Sequence, residues 1–293
     1  MRIVVTAPTG NIGSRLSRSL LDAGAEVIVL ARHPEKVKDL AVHGAQVCAG
    51  DLSNLSFVAE SCVGANALFW LTPPNPHLED LHAEQGGLGR VAAGAVRASR
   101  VQRVVNLSSV GAQLEEGTGP ILGLRAVEAL LDASPAAVTH LRPAFFMENF
   151  LFHLETINSM GSIFLPVDGS VSIPMVATQD IAMIAAKRLL DNGWSGRSVQ
   201  GIHGPRDYSF DECADIISEV LGKPVKHVRV SPDQAREGMM GMGISSGTAD
   251  LYIEMYDAIN RGTLVVSEPR SDTTTTPTEF KDFVAATLVP ALA

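Results

Sequence analysis

The chain has 293 residues, 46% of them hydrophobic, with 23 basic and 32 acidic side chains and a net charge of −9. That composition suffices for a large core, and an acidic balance without any basic run argues against nucleic acid or an anionic membrane as partner. Three scattered cysteines, Cys48, Cys62 and Cys213, have neither CxxC nor metal spacing, so they read as reduced thiols of a cytoplasmic protein with no metal site.

Ile3–Val5 reads as a strand at the very start, which leaves no room for a signal peptide. A tight turn follows, then a helix over Ile12–Ala23 with Leu16, Leu20 and Leu21 at helical spacing, then a second strand, Glu26–Ala31. Turns of this kind hold a pyrophosphate against the helix N-terminus, where free N–H groups and the helix dipole favour negative charge. Thr6, Thr9, Gly10, Asn11, Ile12 and Gly13 are the candidate contacts. Gly10 lets the backbone approach the phosphates, and Gly13 lets the helix pack close on the sheet. The spacing departs from G-x-x-G-x-x-G at Ala7, and a turn with no ligand would carry the same glycine pair. The acid that holds an unphosphorylated ribose belongs about 20 residues on. Ala31-Arg32 stands there instead, and a cation, helped by Lys36, suits the 2′-phosphate of NADP(H).

Gln46–Ala49 is the third strand, followed by a helix over Leu55–Cys62. Between them Asp51 has two readings, an acceptor for the adenine amine or a helix cap, with the Leu52 backbone beside it. Ala67–Leu71 is the fourth strand, stopped by Thr72-Pro73-Pro74. A helix is predicted from about Leu78 to Ser99, a strand over Arg103–Leu107, a helix over Ile121–Ala133 and a strand over Ala137–Leu141. This alternation predicts an α/β fold with a doubly wound parallel (Rossmann) sheet over residues 1–150. Ligands in such sheets sit beyond the carboxyl ends of the strands, which places Thr72, Pro73 and Ser108 along the ribose and nicotinamide. No apolar run approaches the ~20 residues of a membrane helix.

Residues 151–293 are less regular and predict a smaller α/β substrate region, partly interleaved with the first. Helices fit Gln179–Asp191, Phe210–Leu221, Pro232–Met240, Ala249–Asn260 and Glu279–Leu288; strands fit Val199–Ile202 and Val225–Val230. Gly238–Gly247, with Met239, Met240 and Met242, reads as a mobile apolar lid or an ordinary loop.

Leu141-Arg142-Pro143-Ala144-Phe145-Phe146-Met147-Glu148-Asn149 is similar to the motif LRPxxFMEN of the NmrA-like atypical short-chain dehydrogenase/reductases. Arg32–Lys36, Gly50-Asp51-Leu52 and Gln179-Asp180-Ile181-Ala182 extend the resemblance over nearly the whole chain. It implies NADP binding and a small C-terminal substrate region. It leaves open quinone reductases, reductases of aromatic compounds, polyketide tailoring enzymes and cofactor-sensing regulators.

Orthodox members of the wider family use a Tyr-x-x-x-Lys pair to protonate the substrate. Tyr208, Tyr252 and Tyr256 are the only tyrosines, and none has Lys at that spacing. Arg125 lies near the place where relatives put His or Lys, and Glu128 on the same helix is read as a lock between helix and sheet. Ser109, His82 and His153 are the candidate proton donors; a lone His is more often structural. Phe145, Phe146, Met147 and Phe150 form either an apolar pocket wall or plain core. The expected function is hydride transfer from NADPH to a quinone-like or polycyclic aromatic substrate, mainly by placement. The alternatives are an NADP-binding redox-sensing regulator and an aromatic polyketide tailoring enzyme. A homodimer is compatible with the sequence.

Overall fold

The computed structural model describes residues 1–292. The first half alternates β1 (Arg2–Val5), α1 (Asn11–Asp22), β2 (Glu26–Ala31), α2 (Lys38–Val42), β3 (Gln46–Ala49), α3 (Leu55–Ser61), β4 (Ala67–Leu71), α4 (Leu81–Ser99), β5 (Arg103–Leu107), α5 (Ile121–Asp132) and β6 (Ala137–Pro143). The remainder brings β7 (Phe145–Phe146), α6 (Leu154–Met160), β8 (Ser162–Leu165), β9 (Ser172–Val176), α7 (Thr178–Leu190), β10 (Arg197–Ile202) and β11 (Asp207–Ser209). It ends with α8 (Phe210–Leu221), β12 (Lys226–Arg229), α9 (Pro232–Gly241), α10 (Ser246–Asn260), α11 (Phe280–Phe283) and α12 (Val289–Leu292).

Seven strands form one parallel sheet in the order β10-β6-β5-β4-β1-β2-β3. The order reverses beside β1, where the chain leaves β3 at one edge and returns as β4, and a crevice opens at such a switch point. Successive side chains of β1 serve opposite faces. Ile3 and Val5 join Leu16, Leu20 and Phe69 under α1 and α7. Val4 joins Trp70, Ala92 and Val96 on the other face. Both faces are covered, so the strands are apolar runs rather than alternating ones. α7 and β10, both beyond residue 150, belong to this first layer system.

A second core gathers Phe150, Tyr208, Phe210 and Phe280 beneath two small sheets, β11-β9-β7 and β12-β8. The sequence expectation lacked β7, β8, β9, β11 and α6. β9 carries Pro174 at its centre, and the other strands have at most four residues. α4 starts later than expected, at Leu81, because the Asp80 carboxylate caps it by accepting from Ala83 N at 2.8 Å. Gly238–Gly247 is not a free lid. Its first part completes α9, and the turn beyond is bonded to the loop after β4, with Ser245 N donating to Pro76 O at 2.9 Å and Ser245 Oγ to Leu78 O at 2.6 Å.

Candidate functional site

The turn from β1 to α1 closes with Gly10 N donating to Ala7 O at 3.2 Å, and the first intrahelical bond is Ser14 N to Gly10 O at 3.0 Å. The amides of Asn11, Ile12 and Gly13 therefore have no backbone acceptor. No side chain caps α1 and its first turn has no acid, so the positive end of the helix faces the crevice uncompensated. A Cβ on Gly10 would meet only Ala7 O, at 3.7 Å, which leaves this surface open to a ligand's backbone-close approach. A Cβ on Gly13 would overlap the Ala7 carbonyl, so Gly13 is demanded by packing of helix on turn. Ala7 holds φ 51°, the left-handed conformation that the missing glycine would adopt freely.

Arg32, directly after β2, is exposed, and no carboxylate among the described residues pairs with it at contact distance. Lys36, on the short turn after it, is exposed as well. Asp51 lies close enough to feel the charge of Arg32. Its carboxyl sits below the ordinary range, chiefly because it accepts from Ser53 N at 2.8 Å. That bond corrects the capping reading, since Asn54 caps α3 instead, accepting from Phe57 N at 3.1 Å. Leu52 is half-buried beside it. Glu84 on α4, which sequence reasoning missed, also feels Arg32; burial raises its carboxyl, while it accepts from Asn75 N at 3.2 Å and so pins the loop after β4.

Two expected contacts are redirected. Thr6 is fully buried, and its hydroxyl bonds across to Phe69 O at 3.2 Å and accepts from Leu71 N at 2.8 Å, joining β1 to β4. The Thr72 hydroxyl is engaged by Trp70, accepting from its Nε1 at 3.0 Å. Thr9, Asn11 and Pro74 are exposed at the crevice end and Pro73 half-buried, whereas Ile12 is core. Ser108 is buried at the carboxyl end of β5, and its hydroxyl lies near enough to Glu128 to help hold that carboxyl down. Ser109, half-buried, is next to it.

The proton-donor candidates thin out. Arg125 pairs with Glu115 at 3.0 Å and donates to Gln113 O, so it staples the loop before α5. His82 bonds to Gly119 O at 2.9 Å. His153 lies away from the crevice beside His227, and burial pushes it down to about 4, which leaves it neutral and without a proton to give at neutral pH. Glu128 takes both Arg142 donors, Nε at 2.9 Å and Nη2 at 2.5 Å, and ties α5 to β6. Ser109 is the one candidate that neither these bonds nor burial sets aside.

The LRPxxFMEN segment divides between wall and scaffold. Phe145 packs on the second core and Phe146 on the first, both half-buried. Met147 and Phe150 are fully buried in the second core, which corrects them from pocket wall to packing: the chain turns inward after β7. Glu148 accepts from Thr178 N at 3.0 Å and from its hydroxyl, serving the N-terminus of α7. Asp180 of the second motif accepts from Thr278 N at 3.0 Å. These motif acids thus assemble the fold around the site.

A profile of the NmrA-like family matches residues 1–265. The chain belongs to the NmrA-like family. Among proteins similar to this NmrA-like chain is the NAD(P)H azoreductase of Xenophilus azovorans, 28% identical over 254 residues, which cover 87% of this chain and 86% of that one. A solved structure, the Citrobacter sp. triphenylmethane reductase complexed with NADP(H), superimposes with TM-score 0.81 at 25% identity, covering 98% of this chain and 99% of that one. The NADPH-dependent quinone oxidoreductase QOR2 of Escherichia coli, complexed with NADPH, shares the fold with TM-score 0.83 at 20% identity, covering 99% and 100%. No helix among the described residues is long and apolar enough to cross a membrane. A separate groove of about 540 Å³ lies between α7, β10 and residues 268–274, at the sheet edge and off the crevice.

Proposed function

We propose that the protein is an NADP(H)-dependent oxidoreductase that passes hydride to an aromatic acceptor such as an azo dye, a cationic triphenylmethane dye or a quinone. The observation that carries this is the uncapped N-terminus of α1 with Arg32 standing unpaired at the end of the neighbouring strand. Asn11, Ile12 and Gly13 amides would hold the pyrophosphate, and Arg32 with Lys36 the 2′-phosphate. The dinucleotide, when bound, supplies the hydride. Phe145 and Phe146 offer apolar surface at the carboxyl end of the sheet to seat a flat acceptor. The Tyr-x-x-x-Lys pair is absent, so aligning the two reactants is the main contribution to rate. The names of the similar azoreductase and triphenylmethane reductase support the acceptor class.

The test is NADPH oxidation by the purified protein with a panel of those dyes and quinones, beside a binding titration of NADPH and NADH. NADPH binds more tightly, and Arg32→Ala removes most of a preference of about 10- to 100-fold, the strength of charge-assisted phosphate contacts. Equal affinity of the unaltered protein for both cofactors would overturn the role of Arg32. Tight binding with no turnover on any acceptor would instead identify a sensor.

A further inference from the structure

Three tyrosines occur in the chain, and one of them is tied. Tyr208 donates to Glu279 at 2.5 Å and accepts from Phe280 N at 3.0 Å inside the second core. Tyr252 and Tyr256 differ. They lie one turn apart on α10, so they share a face. Both are half-buried, burial alone raises the Tyr252 phenol, and no hydrogen bond acts on either. Neither hydroxyl is among the enclosed polar atoms that solvent cannot reach. Solvent rather than another side chain serves both hydroxyls, so a bound molecule can take the place of that water.

The supports of α10 fix where these phenols stand. Its N-terminus grips the loop after β4: Gly247 N donates to Glu79 Oε2 at 2.8 Å and the Thr248 hydroxyl to Leu78 O at 2.8 Å. One turn on, its backbone at Leu251 and Met255 lies against Gly119, just before α5. Tyr252 falls between those two contacts in sequence and occupies the neighbouring face. Tyr256, a turn further, packs on the margin of the second core, as does Phe145. α10 thus packs on the loops that follow β4 and β5, the side of the sheet at which its ligands bind.

We propose that α10 presents Tyr252 to the acceptor as its proton donor, with Tyr256 as the apolar backing one turn deeper. The proposal rests on the aromatic-acceptor reading above. For an azo acceptor the balance is complete: one nitrogen takes the hydride, the N=N π pair moves to the other nitrogen and bonds the Tyr252 proton, the N–N σ bond remains as that of a hydrazine, and solvent reprotonates the phenolate. A phenol carries its proton at neutral pH, and burial raises both of these further in that direction, so the proton is present. A cationic triphenylmethane dye needs hydride alone, because hydride addition to the central carbon neutralises it.

That contrast supplies the experiment. Tyr252→Phe lowers kcat on the azo dye by about 10²- to 10⁴-fold, as loss of a general acid does, and flattens its pH profile. The same variant stays within about 3-fold on the cationic dye. An azo rate within about 3-fold of the unaltered enzyme, or an equal loss on both dyes, overturns the assignment. A second readout needs no turnover: the azo dye is titrated into the NADP⁺ complex and followed by its own absorbance. Tyr252→Phe weakens that binding by about 5-fold or more, the worth of a hydrogen bond, and unchanged affinity overturns the contact. If the unaltered protein reduces neither dye, the acceptor reading fails and this titration alone decides the place of Tyr252.

Discussion

Gly10 and Gly13 share one turn and fail in different ways when replaced. A side chain on Gly10 meets nothing nearer than 3.7 Å within the protein, so Gly10→Val folds but fills the pyrophosphate's approach. A side chain on Gly13 runs into the Ala7 carbonyl, so Gly13→Ala must move α1 off the turn. Thermal melts and NADPH titrations separate the two: Gly10→Val keeps its melting temperature and loses binding, whereas Gly13→Ala loses stability by about 1–3 kcal/mol, as overpacking does. Unchanged NADPH affinity in Gly10→Val would place the pyrophosphate elsewhere. The packing role of Gly13 was legible because it depends on local backbone shape. The role of Thr6 was not, because its partners Phe69 and Leu71 lie more than sixty residues away on β4 and only the sheet order brings them together. The role proposed for Tyr252 rests likewise on distant contacts, those that set α10 against the loop after β4 and Gly119.

Among the elements, the parallel strands of the first sheet were readable from their apolar runs, and α1 from its turn and period. The small sheets of the second half were hidden, since Pro174 interrupts β9 and each strand finds its neighbour far along the chain. The tie between α5 and β6 rests on Glu128 and Arg142, whose side chains are 8% and 12% exposed. Burial alone would raise the Glu128 carboxyl, but hydrogen bonds from Arg142 and then Ser108 hold it below its ordinary range. Glu128→Ala strands a guanidinium in the interior and costs about 3–5 kcal/mol. The joint change Glu128→Leu with Arg142→Met removes both charges and recovers most of that loss. Urea unfolding of the single and double variants checks this; a double variant as unstable as the single one would mean that the pair contributes more than mutual neutralisation.

At the scale of the whole molecule, burial of imidazoles makes the fold sensitive to mild acid. His153 is held down to about 4 by burial and, secondarily, by the nearby His227; His203 and His227 are lowered in the same direction by burial. An unfolded histidine titrates near 6.5. Between those two values the unfolded chain binds a proton that native His153 refuses, so the stability contributed by neutral His153 is complete above about pH 6.5 and falls as pH drops toward about 4. Each unit of that window is worth up to about 1.4 kcal/mol, so going from pH 7 to pH 5 removes about 2 kcal/mol through this one group. Glu148, raised by burial, works in the opposite sense over part of the range, which is why a variant and not the bare pH profile is the proper test. His153→Leu cannot charge in either state. Urea melts of this variant at pH 7 and pH 5 should differ by about 2 kcal/mol less than those of the unaltered protein. An unchanged difference would mean that His153 is protonated in the native state and that the acid sensitivity lies with His203, His227 or the carboxylates.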